Sequence, residues 1–420
     1  MKSELPNYEH ACAVVDCIAK GIESRLPPAE VVDLDRAAGR VLAEPLIADM
    51  DQPPFARSTR DGFACRADEA NRHQSLRVAG SVHAGHIPEG PLPSGSAWEI
   101  MTGAPLPDGA DAVAMIEHVE HVDANGGQVR LLPPRQLEPG ENIVAQGAQA
   151  RAGQRLLEPG IPITFAQIAL AASCGYAMLK VSARPQVAIL ATGDEIVPVD
   201  RIPAPGQIRN SNAPMLAAMV EAAGGEPWIL PSAADTAEAL DAALVQARQA
   251  EMLIVSGGVS AGKFDLVEPA LARAGAQFHF TGVRIQPGKP LVFGEMPRAE
   301  DRRSALPFFG LPGNPVSSAV TFTLFATRIL AALTGKMAGP RFALARLVEV
   351  KGKTGRHGFT RFLPAACDFN ASTDALPEVR LTRTQGSGDL AALALSNCFV
   401  VAPEDIKNFE EGEIVRILLT

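Results

Sequence analysis

The segment Ser256-Gly257-Gly258-Val259-Ser260-Ala261-Gly262 carries residue types suited to holding a phosphate. It lies between an apolar run at 252–255 and a helical stretch near 265–274. Glycines let successive backbone N–H groups turn toward one anion, and the following helix adds a favourable dipole. No Gly-Lys-Ser/Thr closes the segment, so it is not a Walker loop, and it does not read G-x-G-x-x-G either. A plain strand-to-helix turn uses the same glycines, so both readings stay open.

Acidic groups shift the balance. Asp265 follows that loop, Glu195 follows the apolar run 187–191, and Asp235 follows the run 227–230. In an open parallel sheet these positions share the carboxyl edge, where ligands bind. Taken singly, Asp265 and Asp235 read as helix caps and Glu195 as a solvated loop residue. Crowded on one edge, the carboxylates repel unless a proton or a cation relieves them. Beside a phosphate loop they point to Mg²⁺, which binds few carboxylates plus substrate phosphate. Lys289, in the Pro-bracketed turn Gln286-Pro287-Gly288-Lys289-Pro290, is suited to neutralising a phosphate or a leaving group. The turn Pro312-Gly313-Asn314-Pro315 precedes a helix start and is either a second anion site or a simple connection.

The elements that position these groups follow from periodicity. Continuously apolar strands at 187–191, 227–230, 252–255 and 308–311 alternate with helices, the last running from 316 to about 333. That pattern predicts a three-layer α/β domain with a mostly parallel sheet covered on both faces. Upstream, Ala11, Val14, Val15 and Ile18 recur at helical spacing after Asn7, a suitable N-cap. A second amphipathic piece is expected after Asp35, with Ala38, Val41 and Leu42 on one face. Residues 49–142 break into short alternating segments, an all-β insertion. Helix resumes over 161–181, capped by Thr164, so two helical segments are expected to pack together around the insertion. Strands at 344–350, 378–382, 398–401 and 414–419 predict a C-terminal β-barrel-like domain. The expected division is 1–48 with 145–182, then 49–144, 183–334 and 335–420.

The totals exclude several classes. A chain of 420 residues exceeds one hydrophobic core, so two to four domains are expected. The formal net charge of −9, with no Lys/Arg-rich run, argues against duplex nucleic acid. Only 2 Trp and 2 Tyr are present, too few for base-stacking platforms. The 6 Cys form no C-x-x-C pair, and most sit among apolar neighbours, which favours structural burial over metal ligation. His83/His86 and His118/His121 are loose pairs without zinc-site spacing. The first residues lack a signal-like apolar region, and no 18-residue apolar stretch is read, which predicts a cytoplasmic protein with no membrane span.

Segments spread over essentially the whole chain resemble the molybdopterin molybdenumtransferase (MoeA) family, related to the C-terminal part of gephyrin. They are Ser58-Thr59-Arg60-Asp61-Gly62-Phe63-Ala64, Ile100-Met101-Thr102-Gly103-Ala104-Pro105, Thr192-Gly193-Asp194-Glu195, Ser256-Gly257-Gly258-Val259-Ser260, Pro287-Gly288-Lys289-Pro290 and Leu311-Pro312-Gly313-Asn314-Pro315-Val316-Ser317. Gly355-Arg356 with Arg361, and Gln385-Gly386-Ser387-Gly388, are similar to the family's C-terminal signatures.

The resemblance implies a four-domain elongated homodimer. It also implies the last step of molybdenum-cofactor assembly: adenylylated molybdopterin is hydrolysed and molybdate enters its dithiolene, with Mg²⁺, giving cofactor and AMP. The active site would form between the α/β domain and parts of the partner subunit. Carried onto matching positions, Asp61, Thr102, Asp265 and Lys289 would be catalytic, and Glu195, Asp235 and Asp265 would hold metal. Thr192, Gly193, Ser256, Gly257, Gly258, Ser260, Pro312, Gly313, Asn314 and Ser387 would bind substrate. Two positions depart from the pattern. Gly147-Ala148-Gln149-Ala150 stands where the family has a Gly-Glu-Asp-Ile-like segment, and Gln286 stands where it commonly has Lys, with Arg284 two residues earlier. These departures leave a non-catalytic pterin-binding or gephyrin-like scaffold paralogue as the alternative, and the resemblance leaves room for transient contact with other molybdenum-cofactor enzymes.

Overall fold

A computed structural model describes residues 5–23, 28–258, 266–298, 305–336, 339–349, 358–369 and 376–420. Ser260, Asp265, Gly355 and Arg356 lie outside the described residues.

The apolar runs of the middle third become a six-stranded sheet of β1 (Gln186–Ala191), β2 (Glu226–Ile229), β3 (Met252–Ser256), β4 (Gln277–Phe280), β5 (Val292–Pro297) and β6 (Ala305–Leu311). Its order is β2-β1-β3-β6-β5-β4. The first four strands in that order are parallel, β5 pairs antiparallel with β6, and β4 pairs antiparallel with β5. Side chains alternate across the pleat. Val187, Ile189, Met252 and Ile254 therefore enter one core, while Ala188, Leu190, Leu253 and Val255 enter the other. Being apolar on both faces is what makes these strands legible as central and parallel.

Helices Asn212–Ala222, Ala237–Ala247 and Val267–Arg273 cover the sheet. A further helical stretch runs from Pro315 to Thr334 with one π turn at Phe322–Ala326. An 18-residue window of this 20-residue stretch has a mean hydropathy of 1.6, so an apolar stretch of membrane-spanning length does exist, contrary to the sequence expectation. It is 78% buried, the behaviour of a core helix.

Helix Tyr8–Glu23 starts at Asn7, whose Oδ1 accepts the His10 N–H at 2.9 Å. Its Tyr8, Ala11, Cys12, Val15 and Ala19 share a core with Phe325 and Ile329, and Asp16 takes both oxygens to Arg328 Nη1 at 2.6 and 2.7 Å. The helix thus packs on the central domain. It does not pack on the later helical segment, as the sequence suggested. That later helix is Phe165–Ser173, opened by a capping box between Thr164 and Gln167. It ends sooner than expected, because Met178–Ser182 is a strand paired antiparallel with Ala29–Asp33. The amphipathic piece after Asp35 is only a 3-10 turn at Leu34–Arg36. Val41 and Leu42 instead make bridges to Pro162 and Val181. Short apolar runs fit either period, and here the small core of Leu42, Leu46, Ile163, Leu179 and Val181 decides.

The insertion is a six-stranded sheet ordered Ala112–Met115, Gly62–Cys65, Ser96–Ile100, Leu76–Val82, Gln128–Leu131, Val119–His121. In the C-terminal region Thr360–Asp368 pairs with both Glu378–Leu381 and Cys398–Ala402, and Phe342–Glu349 and Ile414–Leu419 complete a closed ring. Ile285–Gln286, just before the Lys289 turn, adds parallel to Thr360 and Arg361 and so presses that turn against the barrel.

Candidate active site

Four strand ends converge on one cavity of about 740 Å³. Thr192, Gly193 and Glu195 follow β1, Asp235 lies beyond β2, Ser256–Gly258 end β3, and Pro312–Asn314 follow β6. Parallel topology brings them together, since every carboxyl end points the same way.

The β2–β1 side is acidic. The Asp235 N–H donates to Asp194 Oδ1 at 3.1 Å. Burial first, then the negative charges of Asp194 and Glu195, push the Asp235 carboxyl above its ordinary range, although the Asp194 backbone N–H bonded to that carboxyl works the other way. Glu195 folds back over Gly193, where an added Cβ would stand 2.6 Å from Oε2 on a backbone with φ +137. The cap of helix Ala237–Ala247 is Thr236, whose side chain accepts the Ala239 N–H, so Asp235 is released from that structural duty. Among the described residues no group of three or more His, Cys, Asp or Glu is arranged to ligate a metal unaided. A crowded pair of hard oxygen donors beside an open cavity does fit a hard divalent cation completed by phosphate oxygens.

The β3–β6 side is neutral. Thr192 donates its N–H to Ser256 O at 3.1 Å and is 3% exposed, with its hydroxyl unpartnered. Asn212 Nδ2 donates to Ser256 Oγ at 2.9 Å and to Gly313 O at 2.7 Å, tying the ends of β3 and β6. A carbonyl only accepts, so the NH₂ must face Gly313, and Oδ1 points elsewhere, buried and without partner. Asn212 and the cavity-lining Arg209 are functional candidates that the sequence did not single out.

Two anion-cradle expectations need correction. The Gly257 N–H donates to Leu311 O at 3.2 Å, inside the β3–β6 junction, and so is not offered to a phosphate. A Cβ at Gly257 would come 2.7 Å from Thr192 O, so this glycine serves close strand approach. At the Pro312-to-Pro315 turn, Val316 N–H donates to Ser387 O at 3.1 Å, and Asn314 Nδ2 donates to Ser387 Oγ at 2.9 Å. The barrel loop therefore occupies the helix start.

Lys289 lines a second cavity of about 520 Å³ with Gln286, Ser317, Phe362 and Ser387. Both cavities share Pro290, Pro312 and Asn314, so they adjoin. Lys289 is exposed and has no ion-pair partner among the described residues. Arg284 faces Glu404 at 3.7 Å instead.

Asp61 and Thr102 sit at one end of neighbouring antiparallel strands, as the Gly62–Ile100 register requires. Thr102 donates its N–H at 2.7 Å and its hydroxyl at 2.9 Å to Asp61 Oδ1. Those bonds, the backbone one foremost, hold the Asp61 carboxyl below its ordinary range. Neither residue lines either cavity of its own chain. Gln149 is likewise outside them, its N–H bonded to Gln52 O at 2.8 Å.

Three family models cover the chain in order. Residues 8–175 match the MoeA N-terminal region (domain I and II), 188–332 the probable molybdopterin binding domain, and 347–420 the MoeA C-terminal region (domain IV). The molybdopterin molybdenumtransferase of Haemophilus influenzae is 34% identical over 392 residues, covering 92% of this chain and 93% of that protein. That of Bacillus subtilis is 35% identical over 396 residues, covering 93% and 89%. This chain belongs to the molybdopterin molybdenumtransferase family.

Membership makes it an enzyme, a transferase of molybdenum-cofactor biosynthesis, and the relatives give the scaffold alternative no support. The family fold is shared with solved structures. A molybdopterin biosynthesis MoeA protein from Pyrococcus horikoshii superposes with a TM-score of 0.82 at 27% identity, covering 99% of this chain and 100% of that one. A second structure of a molybdopterin biosynthesis MoeA protein from the same organism gives 0.76 at 32% identity, covering 99% of each chain.

Proposed function

We propose that the chain hydrolyses adenylylated molybdopterin and inserts molybdate into the dithiolene, releasing molybdenum cofactor and AMP. The observation that carries this reading is the charge layout of the joined cavities. Asp194, Glu195 and Asp235 crowd one end, and Lys289, without an ion-pair partner among the described residues, stands at the other beside Ser387.

Glu195 and Asp235, with Asp265 from outside the described residues, would hold Mg²⁺, which when bound supplies charge neutralisation and Lewis acidity at the pyrophosphate. Asp235 is poised for this, since burial and the Asp194 and Glu195 charges that raise its carboxyl are what a bound cation would offset. Lys289 offsets negative charge on molybdate or on the phosphates. Ser387 and Asn314 fix the boundary between the two cavities by their mutual hydrogen bond. Asp61, kept ionised by Thr102, closes the site from the partner subunit of a homodimer. This arrangement rests on four domains, divided as 1–48 with 145–182, 49–144 inserted in it, 183–334 and 335–420, except that helix Tyr8–Glu23 packs on the third of these. The protein works in the cytoplasm and needs no nucleic acid or membrane.

The test is turnover by Asp265→Ala and Asp235→Asn with the fold monitored by circular dichroism. Loss of AMP formation in a folded variant supports the assignment, and full turnover of Asp265→Ala at saturating Mg²⁺ contradicts it.

A further inference from the structure

We propose that the wall formed by Thr192, Ser256 and Asn212 reads the N–H edge of the substrate's uncharged pterin ring, and not its phosphate. The inference rests on the function proposed above and sets which way round the ligand lies. Polarity runs along the carboxyl edge of the sheet. Carboxylates occupy the β2–β1 end, Thr192 stands at the β1–β3 junction with its N–H on Ser256 O, and Ser256, Asn212 and Asn314 beyond it offer hydroxyls and amides. At that neutral end the Gly257 and Val316 N–H groups are already bonded, to Leu311 O and Ser387 O, so neither of these two is offered to an anion.

Unspent acceptors are what remain. Thr192 Oγ1 and Asn212 Oδ1 are both buried and have no partner among the described residues, and the two side chains flank Ser256, one residue bonded to its carbonyl and the other to its hydroxyl. Leaving such groups unpaired costs free energy, so they persist where a ligand completes them. A pterin presents several ring and exocyclic N–H donors, whereas adenine presents one exocyclic amine. The acceptor-rich wall therefore matches the pterin end and leaves the phosphates toward Asp235.

Thr192→Val tests this because it keeps the side-chain shape and removes a hydroxyl that none of the described residues uses. Binding of 6-hydroxymethylpterin and of AMP is measured separately by calorimetry on the full chain, with Thr192→Ser as the conservative control. Pterin affinity should fall about tenfold in Thr192→Val, one hydrogen bond's worth. It should recover in Thr192→Ser, with AMP affinity and melting temperature unchanged in both. Unchanged pterin affinity, an equal loss for AMP, or no pterin binding by the wild type overturns the proposal. If AMP release from adenylylated molybdopterin persists in that case, only the ligand orientation is wrong; if it too is absent, the function proposed above falls.

Discussion

Asn314 gives its side-chain amide to Ser387 Oγ at 2.9 Å, joining the helix that follows β6 to a loop of the C-terminal barrel. The same serine accepts the Val316 N–H on its carbonyl at 3.1 Å. The loop is itself held by Asp389, which accepts the Gln385 and Ala392 N–H groups at 2.9 and 3.0 Å. The border between the two cavities is thus made by two domains.

Ser387→Ala removes the hydroxyl and leaves the carbonyl bond in place. Turnover should fall about tenfold, the scale of one misplaced positioning contact, with little change in melting temperature. Steady-state kinetics beside thermal melts checks this, and an equal loss in both would mark Ser387 as structural only.

Asp61 and Thr102 give a titration prediction. The Asp61 carboxyl is depressed in the folded chain, so the interaction is fully present above the unfolded carboxyl range and is lost as pH falls through the folded value. Thr102→Ala keeps the backbone bond but deletes the hydroxyl one, so the Asp61 carboxyl should titrate higher than in the wild type. Carbon-detected NMR of the side-chain carboxyl reads this directly; an unshifted curve would remove Thr102 from that role.

Asp235 has the opposite sign. A raised carboxyl binds its proton more tightly when folded, so it costs stability as pH rises from the ordinary carboxyl range through the folded value. Asp235→Asn should therefore melt higher than the wild type at neutral pH without metal. Mg²⁺ should raise the wild-type melting temperature at neutral pH, and the rise should shrink in acid and in Asp235→Asn. A Mg²⁺ effect of equal size in the variant would place the cation elsewhere.

Much of this was legible in sequence because the decisive patterns are local. Continuous apolar runs marked β1, β3 and β6 as buried on both faces, and the acids that follow β1 and β2 could be placed on one edge from topology alone. Thr360–Asp368 escaped because Pro364 interrupts its pattern, and Met178–Ser182 passed for helix because a short apolar run fits either period. Long-range choices were out of reach. Asn212 matters through a carbonyl 101 residues away, and whether Gly257 meets a phosphate depends on Leu311 taking its N–H.

The most direct test is AMP release from adenylylated molybdopterin by the purified protein, with molybdate and Mg²⁺ supplied together, singly and not at all. The account predicts AMP only when both ions are present, despite Gln149 and Gln286. Tight pterin binding with no AMP under any condition would contradict it and leave a binding paralogue in its place.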